Sequence, residues 1–148
     1  MSKQAEAGLI LKLYELRREE IMRQARDWYF RDFNPESMAD FMAAMMGPNS
    51  GHLRMVVSYW DMAAALVNNG AISLELFNDS NGEHLAVFSK IEPLLPEIRA
   101  FAPQFAANCE KLIDATPDGR KRVAAIRERM KAIGAQLAEN QAKSARQS

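Results

Sequence analysis

The sequence predicts an all-α, single-domain helical bundle of five to seven helices with long N- and C-terminal helices. Apolar residues recur at intervals of three and four along most of the 148 residues, and patterns typical of strands are nearly absent. No internal repeat or linker divides the chain, so residues 1–148 are expected to form one domain. The hydrophobic fraction of 48% and the charged fraction of 26% are typical of a globular domain of this length.

The first third of the chain contains two predicted helices. Apolar residues spaced mostly by three to five, with charged residues between them, predict one long amphipathic helix over residues 4–30. Asn34-Pro35-Glu36 then has the order of N-cap, proline and acid that favours a helix start. The second helix is expected to run to Met46, because the glycine- and proline-containing residues 47–51 break the pattern.

The middle of the chain predicts three more helices. Residues 52–68 are largely apolar and stop at Asn69-Gly70, so this helix is expected to be the central one. Ser73 is a candidate N-cap for a short helix through Phe77, and a turn then leads into a helix over residues 83–91.

The last third of the chain predicts two helices. The first covers residues 95–115 with proline kinks, and the second starts at Thr116-Pro117 and runs to Gln141. Residues 142–148 are expected to be a frayed tail.

The net charge is zero, but its distribution is uneven. Residues 1–31 carry seven basic and five acidic groups, residues 32–115 carry four and eleven, and residues 116–148 carry eight and three. The basic ends are expected to pair with the acidic middle or to form solvated faces. The alternative is an anionic partner, but nucleic acid is not expected because the overall balance is not basic and residues 116–148 lack aromatic side chains.

The chain is expected to be cytoplasmic. Its N-terminus lacks the features of a secretory signal, and no apolar run is long enough to cross a membrane. The single Cys109 cannot form an internal disulfide, which is typical of a reducing compartment, and burial of its thiol is the expected role.

No motif points to catalysis, a metal or a cofactor, so the sequence predicts a protein that is not an enzyme. His52 and His84 lie on different segments and belong to no metal-binding pattern. A nucleophile elbow and a phosphate-binding loop are absent. The turn around Gly82 resembles a calcium loop, but its first and twelfth positions would be Phe77 and Phe88, which offer no side-chain oxygen.

The last helix carries the most regular pattern in the chain. Its apolar residues fall at alternating intervals of three and four, as in a short heptad seam: Val123, Ile126, Met130, Ile133 and Leu137. The stripe can pack against the long first helix of the same chain. It can also contact a second copy of the chain, as in a homodimer, or a protein partner.

The second helix carries a methionine stripe formed by Met38, Met42 and Met45. Methionine is flexible and suits both irregular cores and surfaces that bind several partners. Core filling is the simpler role for these residues, and binding of a partner is the alternative.

One stretch resembles a known family. Tyr59-Trp60-Asp61-Met62-Ala63-Ala64, Asn69-Gly70-Ala71-Ile72-Ser73 and the proline-containing residues 88–99 are similar, in order and spacing, to an uncharacterised family of short bacterial helical proteins. The resemblance covers about residues 20–105. It implies a compact helical module without an assigned reaction, and it supplies no catalytic residues.

The leading functional hypothesis is a non-enzymatic helical module that associates with itself or with a protein partner. Its candidate interface is the stripe of the last helix or the methionine stripe. The alternative is a protein that binds or senses a small molecule or lipid in an apolar pocket between helices. Trp60, Phe88 and Phe101, together with Met42, are the candidate pocket residues.

Overall fold

A computed structural model describes residues 2–147, and every regular element in this range is helical, as predicted. Two predicted helices are each divided, so the structure has more helices than the five to seven expected. The α-helices are α1 (Lys3–Arg17), α2 (Glu20–Arg31), α3 (Met38–Met46), α4 (Ser50–Asn68), α5 (Leu74–Ser80), α6 (Glu83–Ile91), α7 (Leu95–Ile98), α8 (Ala107–Ala115) and α9 (Gly119–Gln147). A 3₁₀ turn at Glu92–Leu94 joins α6 to α7.

The prediction of one helix over residues 4–30 is wrong, because the chain breaks between α1 and α2. Leu13 is the buried residue of α1, and Met22 is the first buried residue of α2. They are nine residues apart, and at about 100° per residue a continuous helix would place them on opposite faces. The break at Arg18 and Glu19 turns both toward one core, whereas Ile21, expected on the apolar face, is 61% exposed.

The second helix starts three residues later than the motif at Asn34 predicts. Ser37 is the N-cap of α3, and its hydroxyl oxygen accepts a hydrogen bond from the Asp40 amide at 3.2 Å. The Asp40 carboxylate in turn accepts one from the Glu36 amide at 2.9 Å. These two bonds satisfy the backbone amides of Glu36 and Asp40 at the start of α3. Asn34 does not cap this helix; its Nδ2 instead donates to the Arg31 carbonyl at the end of α2.

The predicted helix over residues 95–115 is divided into α7 and α8. Pro103 lies between them and cannot donate a backbone hydrogen bond. Ala106, just before α8, has a left-handed backbone with a φ of 55°. The Arg99 side chain holds the intervening loop, because its Nε donates to the Phe105 carbonyl at 3.1 Å.

The remaining boundaries agree more closely with the sequence. Ser73 caps α5 through a 3.2 Å bond from the Leu76 amide, and α6 has the predicted bounds. The first residue of α9 is Gly119. This position requires glycine, because an added Cβ would lie about 2.0 Å from the Ile113 carbonyl oxygen. The structure continues α9 to Gln147, past the predicted end at Gln141, and residue 148 lies outside the described range.

Helix α4 is the centre of the fold, as predicted. It packs against α2, α3 and α8, while α9 packs mainly against α6 and also contacts α8. The fully buried side chains of α4 form one face that spans about 120° of the helix: Leu53, Val56, Val57, Trp60, Ala63, Ala64 and Val67. Half-buried residues, Tyr59 and Asp61 among them, lie on either side of this face. An apolar face of this width is typical of a helix packed against a core.

Three consecutive residues of α4 attach three other elements. The Tyr59 hydroxyl donates to the Leu13 carbonyl of α1. Trp60 Nε1 donates to Glu83 of α6 at 3.1 Å, and Glu83 also accepts two short bonds from Arg26 of α2. The Asp61 carboxylate accepts bonds from the backbone amides of Asn108 and Cys109, at 2.9 and 3.0 Å.

The Asp61 contact supplies a cap that α8 does not have in its own sequence. The N-cap position of α8 is Ala106, which has no side-chain acceptor. The carboxylate also accepts from Asn108 Nδ2 at 3.2 Å, so one acidic group of α4 satisfies three donors at the positive end of α8.

Ion pairs join the basic ends of the chain to its acidic middle, as the charge distribution suggests. Arg120 of α9 contacts Glu92, Glu110 and Asp114 at 2.6–2.9 Å. Arg127, about two turns farther along α9, pairs with Glu92, and Arg99 pairs with Glu110 at 2.7 Å. The result is a partly exposed network that fixes the first half of α9.

We expect Asp61→Ala to destabilise the protein by about 1–2 kcal/mol, because α8 loses its acceptor and the buried donors remain. Urea denaturation followed by circular dichroism measures the change. Asp27→Ala is the matched control, since Asp27 makes only an exposed pair with Arg31 and its loss should change stability by less than about 0.5 kcal/mol. Equal effects of the two substitutions would contradict the capping role.

His84 gives the fold a specific acid sensitivity. Its ring is 1% exposed, lies 5.0 Å from the Phe77 ring and 5.9 Å from the Trp60 ring between centroids, and has no hydrogen-bond partner within the described residues. Burial, assisted by the charge of Arg122, lowers the pKa of His84 from 6.5 to about 4. The unfolded chain therefore binds a proton below pH 6.5 that the folded chain excludes.

We expect the stability contributed by neutral His84 to be complete above pH 6.5 and to fall as the pH decreases toward 4. The full loss is about 3 kcal/mol, at about 1.4 kcal/mol per pH unit. Urea denaturation from about pH 7, just above the ordinary histidine pKa, down to about pH 5 should show this fall in stability. His84→Leu should remove it and His52→Leu should retain it; an unchanged slope in His84→Leu would refute the assignment.

Candidate functional site

The apolar stripe of α9 passes from the core to the surface within one helix. Val123 is fully buried, and Ile126 is partly buried against the core. Met130 is half-buried, and its sulfur atom lies 3.9 Å from the Ser89 hydroxyl oxygen. Ile133 and Leu137 are 54% and 57% exposed. The protein's own core therefore uses only the first part of the stripe.

Residues 131–147, which we call the projecting segment, are all exposed. The stripe was expected to pack on the long first helix, but α9 packs mainly on α6 instead. On the side that continues from Met130, the projecting segment carries Gly134, Leu137, Ala138 and Gln141, which are uncharged. Charged residues such as Glu139 and Lys143 lie on other faces, where they form an exposed pair at 3.2 Å.

A groove opens beside the base of the projecting segment. It has a volume of about 630 Å³ and lies between α9, the end of α6 and the loop before α3. We call it the α9 groove. Its lining residues are Asn34, Pro35, Glu36, Ser89, Lys90, Pro93, Leu94, Arg127, Met130, Lys131 and Gly134. Because Met130 and Gly134 belong to the groove and Leu137 follows one turn later, the groove and the exposed stripe form one surface.

Two of the three cations of the groove are engaged within the protein. Lys90 Nζ contacts the Tyr29 and Phe33 carbonyl oxygens at 2.8 and 2.7 Å, and Asn34 Oδ1 at 3.1 Å. It therefore caps the C-terminus of α2. Burial lowers the pKa of Lys90 from 10.5 to about 8, partly opposed by Asp32, so the amine is mostly protonated at neutral pH.

Arg127 is the second engaged cation, since it donates to the Ser89 carbonyl at 2.8 Å and pairs with Glu92. Lys131 is the third cation, and its ammonium group lies 3.9 Å from Glu128 in an exposed contact. The groove is therefore an apolar surface with a mixed polar rim rather than a pocket with several cations directed at one anion.

The methionine stripe divides between core and surface. Met38 and Met45 pack against the core, whereas Met42 is 37% exposed. Met46, which the stripe did not include, is the most exposed of the group at 81%. The stripe therefore gives no continuous apolar face comparable to that of α9.

The structure divides the candidate pocket residues between the core and the surface. Trp60 and Phe88 are enclosed in the core, and Phe101 is 54% exposed. Trp60 packs against Tyr59, Phe77 and His84, while Arg120 lies over the Phe88 ring. Neither the α9 groove nor a shallow cleft along α2 is lined by any of the three.

The residues that carry acid–base or metal chemistry are dispersed. Within residues 2–147, no group of three or more histidine, cysteine or acidic side chains is arranged to hold a metal ion. Burial raises the pKa of the Cys109 thiol well above its usual range, and the nearby Asp61 charge adds to this effect. The thiol therefore stays protonated, as expected for a core cysteine.

Sequence reasoning missed the groove wall opposite α9. Asn34 and Pro35 suggested only a helix start, and Lys90 had no assigned role. A lysine in the last turn of an apolar helix is a weak signal, because nothing local shows that its side chain reaches the end of α2, more than fifty residues away in sequence. Only the tertiary arrangement of α2 and α6 makes this contact visible.

The fold and its exposed stripe define a small helical module in which one long helix extends beyond the packed core. Residues 4–116 match the family described as "Domain of unknown function (DUF4760)", and the chain belongs to this family. The match confirms the resemblance and extends it toward both ends. Neither the curated proteins nor the solved structures include a significant match. None of the helices in residues 2–147 is long and apolar enough to span a membrane.

We expect the stripe to divide into a structural part and a surface part. Ile126→Gln should destabilise the protein by about 1–3 kcal/mol, because it places an amide against the core. Ile133→Gln should change stability by less than about 0.5 kcal/mol, because its side chain is already more than half exposed. Urea denaturation of both variants at one low protein concentration provides the comparison. A large loss of stability in Ile133→Gln would place that residue in the core.

Proposed function

We propose that this protein is a non-enzymatic protein-interaction module of the bacterial cytoplasm, and that it binds its partner through the exposed stripe of α9. The observation that carries the proposal is the change in burial along one stripe. Val123 is fully buried, whereas Leu137, four turns later on the same side of the same helix, is 57% exposed. Apolar residues that stay exposed together on one face are typical of a protein-interaction site.

The exposure of the projecting segment supports the same proposal. Most of the stability of helices in proteins comes from tertiary packing of an apolar face, and residues 131–147 are all exposed. The segment contains several alanines and the pair between Glu139 and Lys143, each of which contributes a few tenths of a kcal/mol. Packing of its uncharged face on a partner would supply the stabilisation that its own fold does not.

The family match also bears on where the interface lies. It covers residues 4–116, whereas α9 begins at Gly119. The helix that carries the proposed interface therefore follows the matched residues. The matched residues form the packed body, and α9 uses its first half to attach to that body through α6.

Binding of an apolar small molecule in the α9 groove is the second candidate. Its volume of about 630 Å³ falls within the range of ligand sites. The groove is less suited to a small anion or fatty acid, however, because the donors of Lys90 and Arg127 are already engaged. An elongated partner that covers both the groove and Leu137 accounts for more of the surface.

Photo-crosslinking in the native host tests the proposal. A photoreactive phenylalanine analogue at position 137 should yield discrete covalent adducts with protein, because Leu137 lies at the centre of the exposed stripe. The same analogue at position 132 is the matched control. Ala132 is equally part of the projecting segment, but lies about 140° around the helix from Leu137.

Adducts at position 137 but not at position 132 would support the interaction module. An adduct of twice the chain mass would identify self-association, and any other mass a different protein. Absence of protein adducts at position 137, with the variant folded and expressed, would overturn the proposal and favour the small-molecule candidate. Equal crosslinking from both positions would show contact without a defined face.

A further inference from the structure

We infer that α5 is an acid-sensitive lid over His84: as the pH falls below neutrality, α5 detaches from the ring as a unit while α4 and α6 stay packed. We call residues Leu74–Ser80 the α5 lid. Three features support this device. A buried imidazole under the lid has no partner, few contacts hold the lid in place, and the helices around it are firmly attached.

His84 is a buried side chain whose two hydrogen-bonding groups are both unsatisfied. Its ring is 1% exposed, and neither Nδ1 nor Nε2 has a hydrogen-bond partner in the described residues. The ring instead packs against two aromatic side chains, 5.0 Å from Phe77 of the lid and 5.9 Å from Trp60 of α4 between centroids. A proton on this ring would place an uncompensated charge in an apolar site.

Glu83, the acidic residue next to His84 in the sequence, is already engaged. Its carboxylate accepts a bond from Arg26 of α2 at 2.6 Å and one from Trp60 Nε1 at 3.1 Å. Trp60 is also the residue through which α4 contacts the His84 ring, and it carries no charge. Glu83 could pair with a protonated His84 only by giving up these bonds.

The charges of α5 and α9 do not compensate a proton on His84 either. Glu75 and Asp79 of the lid are exposed, and they lie about 160° around α5 from Phe77, the residue that contacts the ring. Arg122 of α9 is basic, and its charge opposes protonation of His84. A proton therefore binds to His84 only when the ring reaches water.

Few contacts hold the α5 lid to the rest of the fold. The lid is a helix of seven residues, and Phe77 is its buried side chain. At its N-cap, the Ser73 amide donates to the Glu6 carboxylate at 2.7 Å, and in its last turn Asn78 Nδ2 donates to the Thr116 hydroxyl at 3.2 Å. Segments with few buried apolar contacts open at a lower free energy than the core does.

A glycine lies on each side of the lid. Gly70 has a left-handed backbone with a φ of 85°, and Gly82 is exposed. Glycine tolerates changes of backbone direction that other residues resist, and moving segments commonly turn about a few such loop positions. The lid can therefore rotate between residues 70 and 82 without unwinding α4 or α6.

The other helices that contact His84 are held more firmly. Helix α6, which carries the ring, is fixed at its first residue by the bonds of Glu83 and near its end by Lys90, whose ammonium group contacts carbonyl oxygens of Tyr29 and Phe33. Helix α4 is buried along one whole face at the centre of the fold. Movement of the α5 lid thus exposes His84 with the smallest loss of contacts.

Amide hydrogen exchange followed by NMR tests the lid. The amides of Phe77 and Asn81, which donate within α5, report its opening, and those of Val57 and Ala64 in α4 report global unfolding. We expect protection factors, the ratio of intrinsic to measured exchange rate at one pH, to be lower in α5 than in α4 at both pH 7 and pH 5.

Between pH 7 and pH 5, the protection factors of α5 should fall by about 20-fold. The reason is that opening returns the pKa of His84 from about 4 to its ordinary value of 6.5, so that the open lid binds a proton that the closed lid excludes. The fall should begin below pH 6.5 and should level off near pH 4.

Two variants separate the sensor from the lid. His84→Leu should leave α5 exchanging faster than α4 but should remove the pH dependence, whereas the control His52→Leu should retain it. Asn78→Ala removes the bond to Thr116, and should lower the protection of α5 by the same factor at pH 7 and pH 5. Far-UV circular dichroism confirms that each variant is folded.

Equal protection of α5 and α4 at each pH would show that α5 opens only when the whole chain unfolds, and would overturn the inference. Protection of α5 that does not change with pH in the unmodified protein, or an undiminished fall in His84→Leu, would overturn the role of His84. The unmodified protein and Asn78→Ala decide the question even if His84→Leu does not fold.

Discussion

The fold depends on one turn of α4, where Tyr59, Trp60 and Asp61 follow each other in sequence. Consecutive residues of a helix point about 100° apart, so three in a row reach three different directions. Tyr59 contacts α1, Trp60 contacts Glu83 of α6, and Asp61 caps α8. These directional bonds supplement the apolar packing of α4, which covers the helix but does not by itself determine which neighbour occupies which side.

The first half of α9 is attached to this body by a different kind of contact. Val123 fills the core, while Arg120 and Arg127 pair with carboxylates of the acidic middle of the chain. Pairs with more than one partner and restricted exposure are more effective than isolated surface pairs, because each side chain is already ordered by another contact. This attachment ends near Arg127, and beyond it the helix continues without comparable ion pairs to the body in the described residues. The transition explains why burial of the stripe declines at Met130.

Most of the fold class could be predicted from periodicity, but the breaks could not. The helix over residues 4–30 looked continuous because Leu13 and Leu16 lead into Ile21 at acceptable intervals. The core instead selects Met22, half a turn away from the face that buries Leu13. Local propensity cannot make this choice, because both Ile21 and Met22 are apolar. The cap of α8 is a second example. Ala106 occupies the N-cap position, but the acceptor is Asp61, which lies 45 residues earlier in the sequence, so no local motif predicts this cap.

The candidate site shows a similar division between what pattern and packing can establish. The heptad spacing identified every member of the stripe, from Val123 to Leu137, but spacing is identical on both sides of Met130 and therefore carries no information about burial. Burial depends on where α6 and the loop before α3 end relative to α9. Since those elements leave a groove beside Met130 and nothing comparable beside Leu137, the stripe is buried in its first turns and exposed in its later ones. The first turns hold the helix to the body, and the later turns form the exposed surface that we propose for association.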